Sequence, residues 1–216
     1  MTTLTGDGIA AEGLRGWVHL LGGLQTRIPT GDLTAGLAVV AAIGAAAVTA
    51  GGRPGIDLRH DHVDVRLTSL DGHGVTAAEI GLARTITGIA REAGFATESS
   101  SVTRLELALD TPDRAAVRPF WVAVLGGGGD DNEVADPADS LPAVWFQQSG
   151  DEESRQRWHP DVWVEPAQVQ PRLDAALAAG GRLVSDAEAP SFWVLADPDG
   201  NKVCLCTWQG RGSQDV

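Results

Sequence analysis

Lysine is nearly missing from this 216-residue chain: Lys202 is the only one. Sixteen basic residues stand against 29 acidic ones, for a net charge of −13 and a pI near 4.6. A polyphosphate partner needs clustered cations, so the composition argues against nucleic acid and, on the same ground, against an anionic membrane surface. The two cysteines, Cys204 and Cys206, are too few for a disulfide framework, and two strand positions apart they are poorly placed to bridge. The opening MTTLTGDGIA has neither a basic segment nor a long apolar stretch, so no signal peptide is expected and a reducing cytoplasm is the expected location.

The charge that is present is unevenly spread. Residues 1–97 carry 7 basic and 9 acidic side chains, whereas residues 98–216 carry 9 and 20. Trp121, Trp145, Trp158, Trp163, Trp193 and Trp208 all lie in the second part, against Trp17 in the first. Between them runs Thr97-Glu98-Ser99-Ser100-Ser101, a polar stretch of linker type. Two domains are expected, over residues 1–97 and 102–210.

Residues 33–50, LTAGLAVVAAIGAAAVTA, contain no charge. Their Ala, Gly and Thr gain little from lipid, and the stretch barely reaches membrane length, so a buried helix lying on a sheet is expected. Thr30 or Asp32 can cap its start and Gly51-Gly52 can end it. Ile56-Asp57-Leu58 and Val63-Asp64-Val65-Arg66-Leu67 alternate as the arms of a hairpin. A second helix is expected from Ala77 to about Ala93, with Thr76 and Glu79 as a capping box and Gly94 after its end. His60, His62 and His73 have no further donor at a recognisable metal spacing, and a polar hairpin turn accounts for them.

The order of these elements, with Gly16-Trp17, the Pro54 turn, VDVRLTS and the Gly74-Val75-Thr76-Ala77-Ala78-Glu79 helix start followed by Leu82-Ala83, resembles the pterin-4a-carbinolamine dehydratase family over residues 4–95. The resemblance implies an antiparallel sheet carrying helices, assembled as a homo-oligomer. The family dehydrates a 4a-hydroxy-pterin with a histidine pair before a proline and another histidine after a strand. Here the pair falls on Gly52 and Arg53, and the other on Leu70. None of these side chains exchanges a proton near neutral pH. The resemblance therefore implies a degenerate dehydratase-like accessory domain; residual 4a-hydroxytetrahydrobiopterin dehydration through His73 is the remaining alternative.

From Val102 the pattern changes. Leu105, Leu107 and Leu109 alternate with Arg104, Glu106 and Ala108 as a strand. Asp110-Thr111-Pro112 reads as a turn, and a helix is expected from Pro112 to about Leu125. A strand over 143–148 follows, and then strand 158–164, helix 167–179 and strands at 182–185, 191–195 and 202–208. The last two are separated by the turn Asp197-Pro198-Asp199-Gly200. This is a structural duplication.

The stretches LELALDTPD, Val144-Trp145-Phe146-Gln147-Gln148, Trp158-His159-Pro160-Asp161-Val162 and ADPDGNKVCLC carry a resemblance to the glyoxalase-like, bleomycin-resistance-like branch of the vicinal oxygen chelate superfamily, over about 102–208. The fold class implied for the whole chain is α+β, a dehydratase-like antiparallel sheet with helices followed by paired βαβββ modules whose hollow face holds a small molecule. Alternation sends Arg104, Glu106, Trp145, Gln147, His159, Asp161, Trp163 and Cys204 toward ligand. Metal-using relatives place His and Glu on these strands, which makes Glu106, His159 and Cys204 the metal candidates. A metal-free, tryptophan-lined pocket for an aromatic or heterocyclic molecule is the preferred expectation, since Cys204 stands where a glutamate is usual and cysteine often serves as a small buried hydrophobe. No cofactor is assigned. A divalent metal would point to a lyase, isomerase or dioxygenase.

Overall fold

The computed structural model describes residues 2–69, 74–115, 118, 128–136, 142–149, 158–178, 180–196 and 202–211. The chain divides into two units, Met1–Val102 with Trp208–Val216, and Thr103–Thr207. Leu70 to His73, most of the helix expected after Pro112 and the turn at 197–200 fall outside the described residues.

In the first unit, α1 (Gly6–Ala11) precedes β1 (Val18–Leu20), β2 (Gly23–Pro29), α2 (Leu33–Ala50), β3 (Gly55–Leu58), β4 (His62–Leu67) and α3 (Ala77–Glu92). The sheet runs β1-β2-β4-β3 and is antiparallel throughout. Leu24, Ile28, Val63, Val65 and Leu67 project from one face onto Val39 and Ile43 of α2 and Ile80, Ala83 and Ile86 of α3. Trp17 is pinned to α3 by its indole N–H, which donates to Thr87 Oγ1 at 2.9 Å.

Caps define the helix ends. Asp32 accepts from Ala35 N at 2.9 Å to open α2, and left-handed Gly51 closes it. At α3, buried Glu79 reaches back to take both the Thr76 N–H (2.9 Å) and its hydroxyl (2.6 Å), while Thr76 Oγ1 accepts from Ala78 N. Glu79→Ala strands two buried donors and is expected to lower the stability of this unit by about 1–2 kcal/mol in chemical denaturation.

Helix α2 departs from the buried helix expected. Gly36, Val39, Ile43 and Ala47 form its inner stripe, yet Leu37 is 54% and Val48 83% exposed. An apolar sequence without periodicity carries no mark of which stripe is inside. By length and composition α2 is also apolar enough to cross a membrane.

The polar stretch at 97–101 is anchored rather than loose. Glu98 exchanges both backbone hydrogen bonds with Arg27 at 2.8 Å, adding a one-residue strap to β2. Burial works against its charge, but hydrogen bonds from Ser101 and Ser100 hold the Glu98 carboxyl below its ordinary pKa.

The second unit holds β5 (Arg104–Thr111), β6 (Glu133–Val134), β7 (Val144–Gln148), β8 (Trp158–Trp163), α4 (Pro166–Ala178), β9 (Arg182–Ser185), β10 (Phe192–Ala196) and β11 (Lys202–Cys206). They form one sheet in the order β6-β7-β5-β8-β11-β10-β9. In each repeat the first and last strands are parallel, β5 to β7 and β8 to β11, and the two repeats join through the antiparallel β5–β8 pair. Val169 and Leu173 of α4 pack on Leu195 and Leu205, covering one face. Val144 and Phe146 meet Leu109 on that same side of the alternation.

Candidate functional site

The strand registers decide what lies on the opposite face. Glu106 stands across from Asp161, Ala108 from His159 and Arg104 from Trp163. Trp145 neighbours Ala108 on the other side of β5, and Gln147 neighbours Asp110. Cys204 faces Asp161, and Cys206 faces Trp163. All eight residues singled out in the sequence therefore share the face that α4 leaves uncovered.

Within that face the structure separates centre from edge. Ala108 is fully buried and carries only a methyl group, so side chains from both neighbouring strands close over it. The rings of Trp145 and His159 meet edge to face at 6.4 Å and 88°. The Trp145 indole N–H donates to Asp161 Oδ2 at 3.1 Å, spanning β5 to do so. Asp161 Oδ1 lies 3.5 Å from His159 Nε2. One nitrogen, oxygen or sulfur atom from each of His159, Asp161 and Cys204 lies within 4.8 Å of the others. Asp161 and Cys204 are buried, and His159 is half-buried.

Glu106, expected as a metal candidate, accepts at its Oε2 from the Trp163 indole N–H at 2.9 Å, as Asp161 does from Trp145. Among the described residues the one cluster of three metal-binding side chains takes Asp161 in its place. Gln147 is exposed at the rim, and Arg104 is half-buried beside Trp163. Trp158 and Trp193 pack on the helix-covered side, leaving Trp145 and Trp163 as the tryptophans of the site face. Both spend their indole N–H on carboxylates, so they orient acids as much as they line a hollow.

Asp110 was read as a turn residue in the sequence, but β5 continues through Thr111. The alternation 104, 106, 108, 110 thus brings Asp110 onto the site face, where its Oδ1 lies 3.6 Å from His159 Nδ1. Carrying that alternation two residues further was the signal that could have found it.

The donor set can be tested against metal chemistry. Bonds of about 2.0–2.3 Å in a tetrahedral zinc site put ligand atoms roughly 3.5 Å apart. The His159–Asp161 separation of 3.5 Å already matches, and the remaining contraction is within side-chain reach. An imidazole, a carboxylate and a thiolate suit zinc or a neighbouring transition ion and leave coordination positions open. The residues fit.

Residues 106–206 match the family described as glyoxalase-like domain, and residues 2–89 match pterin 4 alpha carbinolamine dehydratase. The chain thus carries a dehydratase-like and a glyoxalase-like domain. No curated protein matches it. Among solved structures, the first part is similar to a transcriptional coactivator/pterin dehydratase from Brucella melitensis (22% identity, 41% of this chain and 99% of that one, TM-score 0.39). The second is similar to a glyoxalase/bleomycin resistance protein/dioxygenase superfamily member from Vibrio splendidus 12B01 (16% identity, 49% and 99%, TM-score 0.35).

In the dehydratase-like domain, Gly52 holds one of the positions where the family's histidine pair falls. A Cβ there would lie 2.7 Å from Cδ2 of buried Leu82, so any side chain at 52 requires Leu82 to move. His62, at the start of β4, is tied to acids: its Nδ1 lies 2.7 Å from Asp61 and its Nε2 3.7 Å from Asp64. Asp64 is in turn held by Arg27 through two hydrogen bonds, at 2.7 and 2.6 Å.

Proposed function

We propose that the glyoxalase-like domain is a metal-dependent lyase or isomerase site for a small, oxygen-bearing organic molecule, with His159, Asp161 and Cys204 as the metal-holding side chains. The convergence of those three donors from two adjacent strands onto one face supports this reading. A divalent ion bound there would supply Lewis-acid polarisation of a substrate oxygen. The chain's own residues divide the remaining work. Trp145 fixes Asp161 through its indole N–H, and its half-buried ring favours a flat, aromatic or heterocyclic substrate. Trp163 fixes Glu106, a carboxylate of the site face that lies outside the donor cluster and serves as proton acceptor. The acidity of this part of the chain disfavours anionic substrates. The dehydratase-like domain, with Gly52 and Arg53 at the histidine-pair positions, acts as a scaffold.

Elemental analysis of protein purified without a metal-affinity tag is the test. The expected result is close to one equivalent of zinc, iron, manganese or nickel, with His159→Ala lowering affinity at least about 100-fold. Protein that holds no metal, and takes up none of these ions when they are added, would leave a dry pocket for an organic ligand instead.

A further inference from the structure

The imidazole of His159 lies between two carboxylates on opposite ring nitrogens. Asp161 Oδ1 is 3.5 Å from Nε2, and Asp110 Oδ1 is 3.6 Å from Nδ1. A neutral imidazole has one N–H and one lone pair, and the nitrogen carrying each is set by its surroundings. For Nε2 to present its lone pair toward Asp161 and Cys204, the proton must reside on Nδ1.

We infer that Asp110 is the positioning residue that holds the His159 proton on Nδ1 and so turns Nε2 into the donor nitrogen, an assignment that rests on the metal reading above. Three observations carry it. Asp110 Oδ1 is buried and makes no hydrogen bond among the described residues, so it is an acceptor without a donor in a place where that is costly. The ring nitrogen beside Asp110 is Nδ1, the one opposite the Nε2 that lies 3.5 Å from Asp161 Oδ1, and Asp110 is not a member of the donor cluster. Finally, two other neighbours of the ring among the described residues carry no acceptor for Nδ1: the methyl of Ala108 lies opposite across the strand pair, and the Trp145 ring meets it edge to face. The 3.6 Å gap is about 0.6 Å longer than an ordinary N–H···O bond, and a rotation of the carboxylate must close it for the bond to form. A carboxylate on the far nitrogen of a ligating histidine fixes ring orientation and raises its basicity, and losing it typically weakens metal binding about 10–100-fold.

The test compares wild type, Asp110→Asn and Asp110→Ala as full-length proteins. Long-range ¹H–¹⁵N correlation at pH 8 reads the His159 tautomer, and competition with a chromophoric chelator reads zinc affinity. The expected wild-type tautomer is Nδ1–H. Asn keeps an acceptor, so it should retain the tautomer and lose several-fold in affinity, whereas Ala should switch the ring to Nε2–H and lose about 10–100-fold. Equal tautomer and equal zinc affinity in all three proteins overturns the role of Asp110 while leaving the metal site standing. A tautomer that depends on Asp110 in a protein that binds no zinc upholds the positioning and removes the metal reading.

Discussion

Acidification from pH 7 to 4 is expected to remove about 3 kcal/mol of stability from the dehydratase-like domain through a single side chain, His19. His19 sits on β1 opposite Leu24, is 7% exposed, and its Nδ1 has no hydrogen-bond partner among the described residues. Burial, helped by the nearby Arg66 cation, lowers its pKa from 6.5 to about 4. The sign follows from proton counting. Above pH 6.5 the imidazole is neutral in both folded and unfolded chains and costs nothing. Between 6.5 and 4 the unfolded chain binds the proton while the folded one does not, so stability falls with pH until the folded pKa is reached. Amide exchange of β1 and β2 at pH 7, 5.5 and 4.5 measures this. His19→Leu should flatten the dependence, and the difference between the two proteins isolates the imidazole from every other titrating group. Identical pH slopes would mean that His19 does not carry the acid lability.

Gly16→Ala is expected to cost about 3–4 kcal/mol, out of scale for one methyl group. Gly16 has φ of 76°, which alone costs an alanine about 1–2 kcal/mol. A Cβ there would also stand 2.3 Å from the Thr97 carbonyl oxygen. That oxygen belongs to backbone and cannot swing aside, so the strap at 97–98 must lift, loosening the two Arg27–Glu98 hydrogen bonds at about 1 kcal/mol each. Gly13→Ala is the matched control: φ is 62° but nothing lies within 4 Å, so only the conformational cost should remain. Urea denaturation of both variants gives the comparison. Equal losses would show that the strap contact contributes nothing.

Much of the fold was legible because local signals agreed with one another. Thr76, Glu79 and Gly94 marked α3 from three directions, and alternation in 104–109 and 158–163 assigned the faces of β5 and β8 correctly. The β1–β2 hairpin was not seen. Its two-residue turn is Leu21-Gly22, both with positive φ, and leucine is a residue that conformation normally excludes. The distant guanidinium of Arg66 donates to the Leu21 carbonyl at 2.7 Å, a contact no local pattern records. The site shows the same division. Which residues share a face follows from period two, but which of them come within 4.8 Å of one another depends on how the strands pair. That is set by register, not by spacing in the chain.

The antiparallel β5–β8 seam has a genetic consequence. Strand β7 occupies in the first repeat the place that β11 occupies in the second, yet it presents Trp145 and Gln147 where β11 presents Cys204 and Cys206. On the metal reading proposed above, the two copies would hold complementary roles: one would supply the coordinating atoms, the other floor, brace and orienting acid. On that reading neither copy would encode the proposed constellation by itself, and a gene reduced to one repeat would not rebuild it by pairing with its own twin.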